Sequence, residues 1–576
     1  MGKVQKNSTG LLCAAAAALY FLLIFILIPF TYGINDDMTL RDIASGAVSG
    51  TPDGHLIYVQ YVLGKLISLL YMAVQGIDWY ALVWLGLMLF CFGLLLYRTA
   101  ALCRCIKRSL LAGLFGALVL FTLVHLDYFV NFQYTIVASI TGGTAVFFYF
   151  TMDPEKPLYV RLREYAVTAL LAWITYCIRS QVFMLAVPFG AVLFLGKKKI
   201  RIAEKAMFLA AVLAGIFVVF IIERGAYSSQ EWKDFRNFNQ ARTEIYDYYG
   251  VPPYSENEAF YESIGMEECD VVNLERYRLY FTDGLETGKL EETAEYAEKL
   301  WKETQTPIQR VKNGIKLAAK GFGAESNLLV NIAAKLFLAA VLIRGWKRRR
   351  KDFWMGGSLL LIEGALWLYL GCEGRLPDRV GAALLITEFS CALALLFHGC
   401  MDEGKEVSLV KSRVLAAGFF VLAAAVCGLH IASVREERMS AARRNEEFER
   451  FNAYFAEHSE NVYFYPVDFS GDYTENLRIF RSFEVSNGFP LGGWLTFSPL
   501  REAGLGKYGI QEVDKALIEK DNIYLVMTSA SSRIDEHYLQ KDIEIKWEQT
   551  DQAPVFQTEV PVWKLSAEGE TNDDIF

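Results

Sequence analysis

The chain of 576 residues is 53% hydrophobic, with a mean hydropathy of +0.24 and a net charge of −8. Its apolar residues gather in blocks, several reaching the roughly 18–20 residues that cross a bilayer, which excludes an ordinary soluble globule. Basic residues crowd the short loops and acidic ones fill two long polar segments; neither has the dense basic surface of a nucleic-acid binder, so no nucleic-acid partner is expected.

The N-terminal run MGKVQKNSTGLLCAAAAALYFLLIFILIPF has a basic head but no small-x-small cleavage site, and reads as a retained signal-anchor span. Apolar spans are expected at 11–30, 79–97, 109–124, 133–151, 165–178, 182–196, 205–222, 327–343, 353–371, 380–398 and 413–431, eleven in all. The loops 98–108, 152–164, 197–204, 344–352 and 399–412 carry Lys and Arg, and the alternate short loops are nearly free of them. The positive-inside rule then predicts a multi-pass plasma-membrane protein with a cytoplasmic N-terminus and an extracytoplasmic C-terminus.

Segment 56–75 is apolar but carries Lys65 near its middle, and counting it as a span would turn every later basic loop outward. It reads as an interfacial helix on the outer surface. Segment 165–196 has basic flanks on both sides and Arg179 at its turn, which predicts a broken helical hairpin sheltered by protein. The expected organisation is a membrane core over 1–222 with a first outer loop at 31–78, an acidic and largely helical outer insert at 223–326, further spans over 327–431, and a small outer α/β domain over 432–576. In the last, VYFYPV, IYLVMT and VFQTEVPVWKL read as strands, with helices near 511–520 and 532–541. Ten cysteines give no disulfide framework, since Cys269 stands alone in its outer loop and the last 149 residues have none. Cys103-Arg104-Cys105 lacks further ligands and predicts no metal site.

Candidate polar groups fall on one face of this topology. Asp36, Asp37 and His55 lie in the first outer loop. His125 and Asp127 stand at the mouth of the third span, with Gln133 entering the fourth. Arg179 and Gln181 mark the hairpin turn, and Arg375 and Arg379 lie in the short loop CEGRLPDRV. Arginine on an outer face runs against the positive-inside bias, and its guanidinium matches phosphate oxygens in bidentate geometry. Solvated turns, helix caps and loop salt bridges are the plainer readings of the same residues. The tyrosines at 246, 248, 249 and 254 suit core packing better than sugar stacking.

A first span followed by an acidic pair, a surface helix and short spans returning to one face resembles the GT-C superfamily of membrane glycosyltransferases. The string NDDMTLRDIASGAVSGTPDGHLIYVQYVLG is similar to the first outer loop of GT-C-like proteins of Gram-positive bacteria. The resemblance covers roughly residues 10–400, and the insert 223–326 departs from the common layout. It implies an inverting transfer of a sugar from a polyprenyl-phosphate donor in the lipid to a cell-envelope glycan or protein acceptor. Asp36 or Asp37 would be the general base, its pKa raised by the neighbouring carboxylate. Arg179, Arg375 and Arg379 would stabilise the lipid-phosphate leaving group. A divalent cation could bridge carboxylate and phosphate, although no ligand cluster calls for one and no metal residues are assigned. The competing readings are a lipid-linked sugar flippase and a non-enzymatic scaffold that binds wall polymer. The flippase reading is set back by spans that look nearly uncharged apart from Arg179 and Glu363, and by the lack of matched halves.

Overall fold

A computed structural model of the protein describes residues 2–105, 109–285, 288–403, 413–467, 469, 477–480, 487–555 and 557–568. Residues 106–108 and 404–412, in two of the basic loops, thus lie outside the described residues. Seven helices among those described are long and apolar enough to cross a membrane: Thr9–Leu27, Trp79–Cys105, Leu110–Val130, Ile202–Ala226, Glu325–Arg348, Arg350–Cys372 and Asp378–His398. Their outward faces are apolar. Leu11, Ile202, Phe217 and Leu361 are 73%, 85%, 63% and 77% exposed. So extensive an apolar surface fits contact with lipid hydrocarbon rather than water.

Length and composition thus support seven of the eleven expected spans. Of the other four, Tyr134–Phe150 and Ser180–Gly196 have 17 residues each. That is about 25 Å of helix, against a hydrocarbon core of about 30 Å. Leu158–Ile178 is longer, but Arg161, Arg163 and Glu164 fill its first turns. The last belongs to a 45-residue helix, Arg413–Glu457, whose second half leaves the bundle. Tyr61–Ala73, with 13 residues, is too short to span.

Tyr134–Phe150 is the hub of the bundle, buried on nearly every side. Small residues allow this. A Cβ on Gly143 would lie 2.4 Å from Ser390 Oγ, so the helix Asp378–Glu403 approaches closely there.

The basic loops gather at one end of the bundle. Arg98 pairs with Glu164 at 3.0 Å and Lys156 with the same carboxylate at 2.9 Å. Arg161 pairs with Glu204 at 2.8 Å, and Arg344 with Asp352 at 3.0 Å. Lys197 Nζ donates to the carbonyls of Tyr149, Phe150 and Met152 at 2.6, 2.8 and 2.7 Å, closing the C-terminal end of the hub helix.

The opposite end carries a polar cap. Strand β1 (Thr31–Tyr32) pairs in parallel with β2 (Asn131–Phe132). The segment 223–326 folds as a run of helices that includes Gln230–Glu244, Glu268–Glu275, Lys289–Thr304 and Pro307–Phe322. The C-terminal region forms a five-stranded sheet of β3 (Val462–Tyr465), β4 (Gly488–Pro490), β5 (Ile523–Val526), β6 (Ile545–Val555) and β7 (Thr558–Ala567), in the order β4-β3-β5-β7-β6. β3 runs parallel to both neighbours, and β7 antiparallel to β5 and β6. The run VFQTEVPVWKL is therefore not one strand: Val555 ends β6 and Thr558 starts β7. Backbone hydrogen bonds join these regions. Tyr32 N–H donates to Leu477 O at 2.9 Å, and Leu279 N–H to Leu491 O at 3.0 Å.

Candidate active site

The acidic pair opens the helix Asn35–Ser45, which starts directly beyond β1. Ile34 is extended and the next residues turn helical, so both carboxylates sit in the first turn, where the helix dipole favours negative charge. The helix stops at Gly46, whose φ of +92° only glycine adopts easily and whose Cβ would meet the Thr51–Pro52 backbone at 2.7 Å.

Successive helical residues point about 100° apart, so the two acids face different surroundings. Asp37 points inward and is fully buried. Its Oδ1 accepts from Tyr80 Oη–H at 2.8 Å and from Tyr134 N–H at 3.1 Å, while Oδ2 has no partner. Burial pushes its carboxyl well above 3.8, against the lowering effect of those two bonds; the neighbouring Asp36 adds only a smaller push. Asp37 ties the segment after β1 to two helices.

Asp36 is half-buried and, among the described residues, accepts no hydrogen bond. Burial also raises its carboxyl above 3.8, while the guanidiniums of Arg379, Arg179 and Arg242 pull it down in that order and Asp247 pushes it up. An acid whose charge is held by distant cations, with its oxygens free of donors, remains able to take a proton.

The arginines come from three places. Arg179 occupies the break between Leu158–Ile178 and Ser180–Gly196, with φ −155° and ψ 101°, so the hairpin is interrupted there. Its Nη1 donates to Tyr134 Oη at 2.7 Å, and its guanidinium lies over the rings of Tyr58 and Tyr134 at 5.4 and 5.3 Å. Its side chain therefore serves an aromatic wall rather than the carbonyls freed by the break. Arg379 stands in the first turn of Asp378–Glu403. Arg242, buried in the insert, donates to Tyr277 Oη and to Asn239 Oδ1, both at 2.9 Å. Arg375 binds Asp247 Oδ2 at 2.8 Å. Gln133 lies beside Gly33, buried, with Nε2 3.4 Å from Thr135 Oγ1.

Other candidates have partners that build structure. His55 Nδ1 is 2.7 Å from Asp53 Oδ1 and its Nε2 is 3.2 Å from Ala226 O. Its ring stacks on Trp232 with centroids 4.5 Å apart, so it joins the segment 31–78 to the segment 223–326. His125 is buried between the rings of Phe121 and Phe389. Asp127 pairs with His430 at 3.3 Å, and Gln181 is exposed past the hairpin break, its Oε1 3.4 Å from Ser180 Oγ. Tyr246 donates to Leu274 O at 2.5 Å and Tyr249 to Glu298 at 3.1 Å, which are packing roles within the insert.

Sequence reasoning passed over Arg242, whose one visible signal is a basic residue on the apolar face of an insert helix. Nor are the spans nearly uncharged. Lys335 and Glu388 also lie within them; Lys335 Nζ reaches Glu363 Oε1 at 2.5 Å and binds Glu388 Oε2 as well. One further set has metal-like spacing. Asp283, Asp514 and His537 offer ligand atoms within 4.8 Å of one another, but Lys541 Nζ already binds Asp283 at 2.9 Å and Asp514 at 2.6 Å. No family model, curated protein or solved structure matches the chain.

Proposed function

We propose that the protein is an inverting glycosyltransferase of GT-C type, working in the plasma membrane with its polar cap outside. The observation that carries this is Asp36, a half-buried acid that accepts no hydrogen bond among the described residues and whose carboxyl, raised by burial, is drawn down by the charges of Arg379, Arg179 and Arg242. In this reading, Asp36 takes the proton from an acceptor hydroxyl as its oxygen attacks the anomeric carbon of a polyprenyl-phosphate-linked sugar. The glycosidic C–O bond to phosphate breaks on the opposite face, and the electron pair leaves with the lipid phosphate. A single displacement inverts the anomeric centre. The guanidiniums stabilise the departing charge. Asp37 holds the helix in place.

The gathering of basic loops at the other end supports an outward cap through the positive-inside rule. The experiment is a comparison of envelope glycan composition between cells carrying the wild type, Asp36→Asn and no protein. Asp36→Asn should reproduce the null composition at normal protein level. Full glycan modification by that variant, or labelling that places residue 36 in the cytosol, overturns the reading.

A lipid-linked sugar flippase is the second reading, favoured by Lys335, Glu363 and Glu388 within membrane helices. It predicts that transbilayer movement of the lipid-linked sugar, with no covalent transfer, is lost when the triad is neutralised.

A further inference from the structure

A cavity of about 720 Å³ lies beside the helix Asn35–Ser45, between that helix, the helix Arg413–Glu457 and the C-terminal sheet domain. Its size falls within the range of about 300–1,000 Å³ usual for small-ligand sites. Asn35, Met38 and Thr39 line it. These positions, at i, i+3 and i+4, form one helical face, and Asp36 is the residue next round the turn.

A shared wall connects the cavity with the arginine cluster. Trp494 lines the cavity and packs on Tyr58 with centroids 4.9 Å apart, and Tyr58 lies beneath the Arg179 guanidinium. A ligand in the cavity therefore rests against the Trp494 side of that wall, with Arg179 over the Tyr58 ring behind it and Asp36 one position along the helix from the lining residue Asn35.

Two features of the lining are chemically selective. Trp494 and Tyr465 offer aromatic faces, which suit the C–H faces of sugar rings. Arg478 and Arg501 also line it, and among the described residues neither makes an ion pair; each keeps a buried Nε with no hydrogen-bond partner. Arg478 is fixed where the C-terminal domain meets β1, its backbone N–H donating to Asn445 Oδ1 at 2.8 Å. Arg501 rides over the Phe489 ring at 5.3 Å. The remaining charged lining residues are Arg41 and Asp42, paired with each other at 2.7 Å, and Glu449. A buried Nε without an acceptor is costly, and an anion in the cavity could supply one to each guanidinium.

We infer that this cavity holds the acceptor, and that the acceptor is an anionic glycan whose phosphodiester or carboxylate groups bind Arg478 and Arg501 while a sugar ring rests on Trp494. The inference rests on the glycosyltransferase reading for the word acceptor; the binding itself does not.

The test is titration calorimetry on the full-length protein in nanodiscs with three probes: a glycerol-phosphate tetramer, tetragalacturonate and neutral maltotetraose. The expected result is binding of an anionic probe at least about ten-fold tighter than the neutral one, and weaker as salt rises. Preference between the two anionic probes tells phosphate from carboxylate. Arg478→Gln and Arg501→Gln should each lower the anionic affinity about ten-fold without a change in melting temperature, and Trp494→Ala should weaken all three probes. Equal binding of neutral and anionic probes, or anionic affinity unchanged in both arginine variants, overturns the inference. Selective anionic binding together with a fully active Asp36→Asn would instead leave the cavity standing and remove the transferase reading.

Discussion

Substitution of the two adjacent acids should give opposite phenotypes. Asp37→Ala removes the acceptor of two buried donors, the Tyr80 hydroxyl at 2.8 Å and the Tyr134 amide at 3.1 Å. A buried donor left without a partner costs about 1–3 kcal/mol, so the pair costs about 2–6 kcal/mol. Asp37→Asn keeps Oδ1 as the acceptor and places an amide where Oδ2 has no partner, at a cost of about 1–3 kcal/mol. The two variants also differ from the wild type in their pH response. Burial holds the Asp37 carboxyl well above 3.8 in the folded chain, so above that pH the folded state binds the proton that the unfolded state releases. The stability from this group is present in full below about pH 4 and is lost as pH rises through the folded value, whereas Asn has no such loss. The melting temperature of Asp37→Asn relative to wild type should therefore climb from pH 4 upward. Asp36→Asn removes no hydrogen bond among the described residues and should shift stability by less than about 0.5 kcal/mol. On the transferase reading its cost is in activity, about 10²–10⁴-fold for loss of a general base, or about 3–5 kcal/mol of barrier. Intrinsic fluorescence during heating in detergent reads the stability, and envelope glycan analysis reads the activity. An Asp37→Ala variant as stable as wild type would refute the hydrogen-bond argument. An active Asp36→Asn beside a stable, inactive Asp37→Asn would reverse the two roles.

Arg379 is the strongest of the charges that lower the Asp36 carboxyl, so Arg379→Gln should move the acid limb of the pH–rate profile to higher pH; a shift to lower pH contradicts the placement. Lys335→Met strands two carboxylates inside the bundle and should destabilise by about 3–5 kcal/mol in thermal unfolding, while adding Glu363→Gln and Glu388→Gln should recover most of that loss. At Gly371 a Cβ would stand 2.3 Å from Gly314 O, so Gly371→Ala must push its helix away from Pro307–Phe322 and should cost about 1–3 kcal/mol. Gly364→Ala in the same helix as Gly371 meets nothing within 4 Å and should leave the melting temperature unchanged or higher.

The seven long spans were legible because each is a run so apolar that a single charge such as Lys335, Glu363 or Glu388 does not break it, a signal contained in one segment. The pair at 36–37 was legible for the converse reason, as charge set against such a run. What each acid does was not, because it depends on contacts 43 and 97 residues away that turn Asp37 inward. His55 and His125 stand beside apolar segments just as the acids do, and only the rings packed on them make them joints of the fold. Arg478 and Arg501 had no local pattern to mark them, since a cavity wall drawn from three distant segments leaves no period in any one of them.

The charges inside the bundle bear on the choice between transferase and flippase, because one helix carries a residue of each site. Arg379 and Glu388 lie nine positions apart on Asp378–Glu403, about 13 Å along its axis. A displacement of that helix that released Glu388 from Lys335 would also carry Arg379 past Asp36. If the triad only braces the bundle, Glu388→Gln paired with Glu363→Gln should leave glycan transfer intact. If transfer or lipid movement fails in that stable double variant, the triad and the arginine cluster work as one device, and the helix between them is the element that moves.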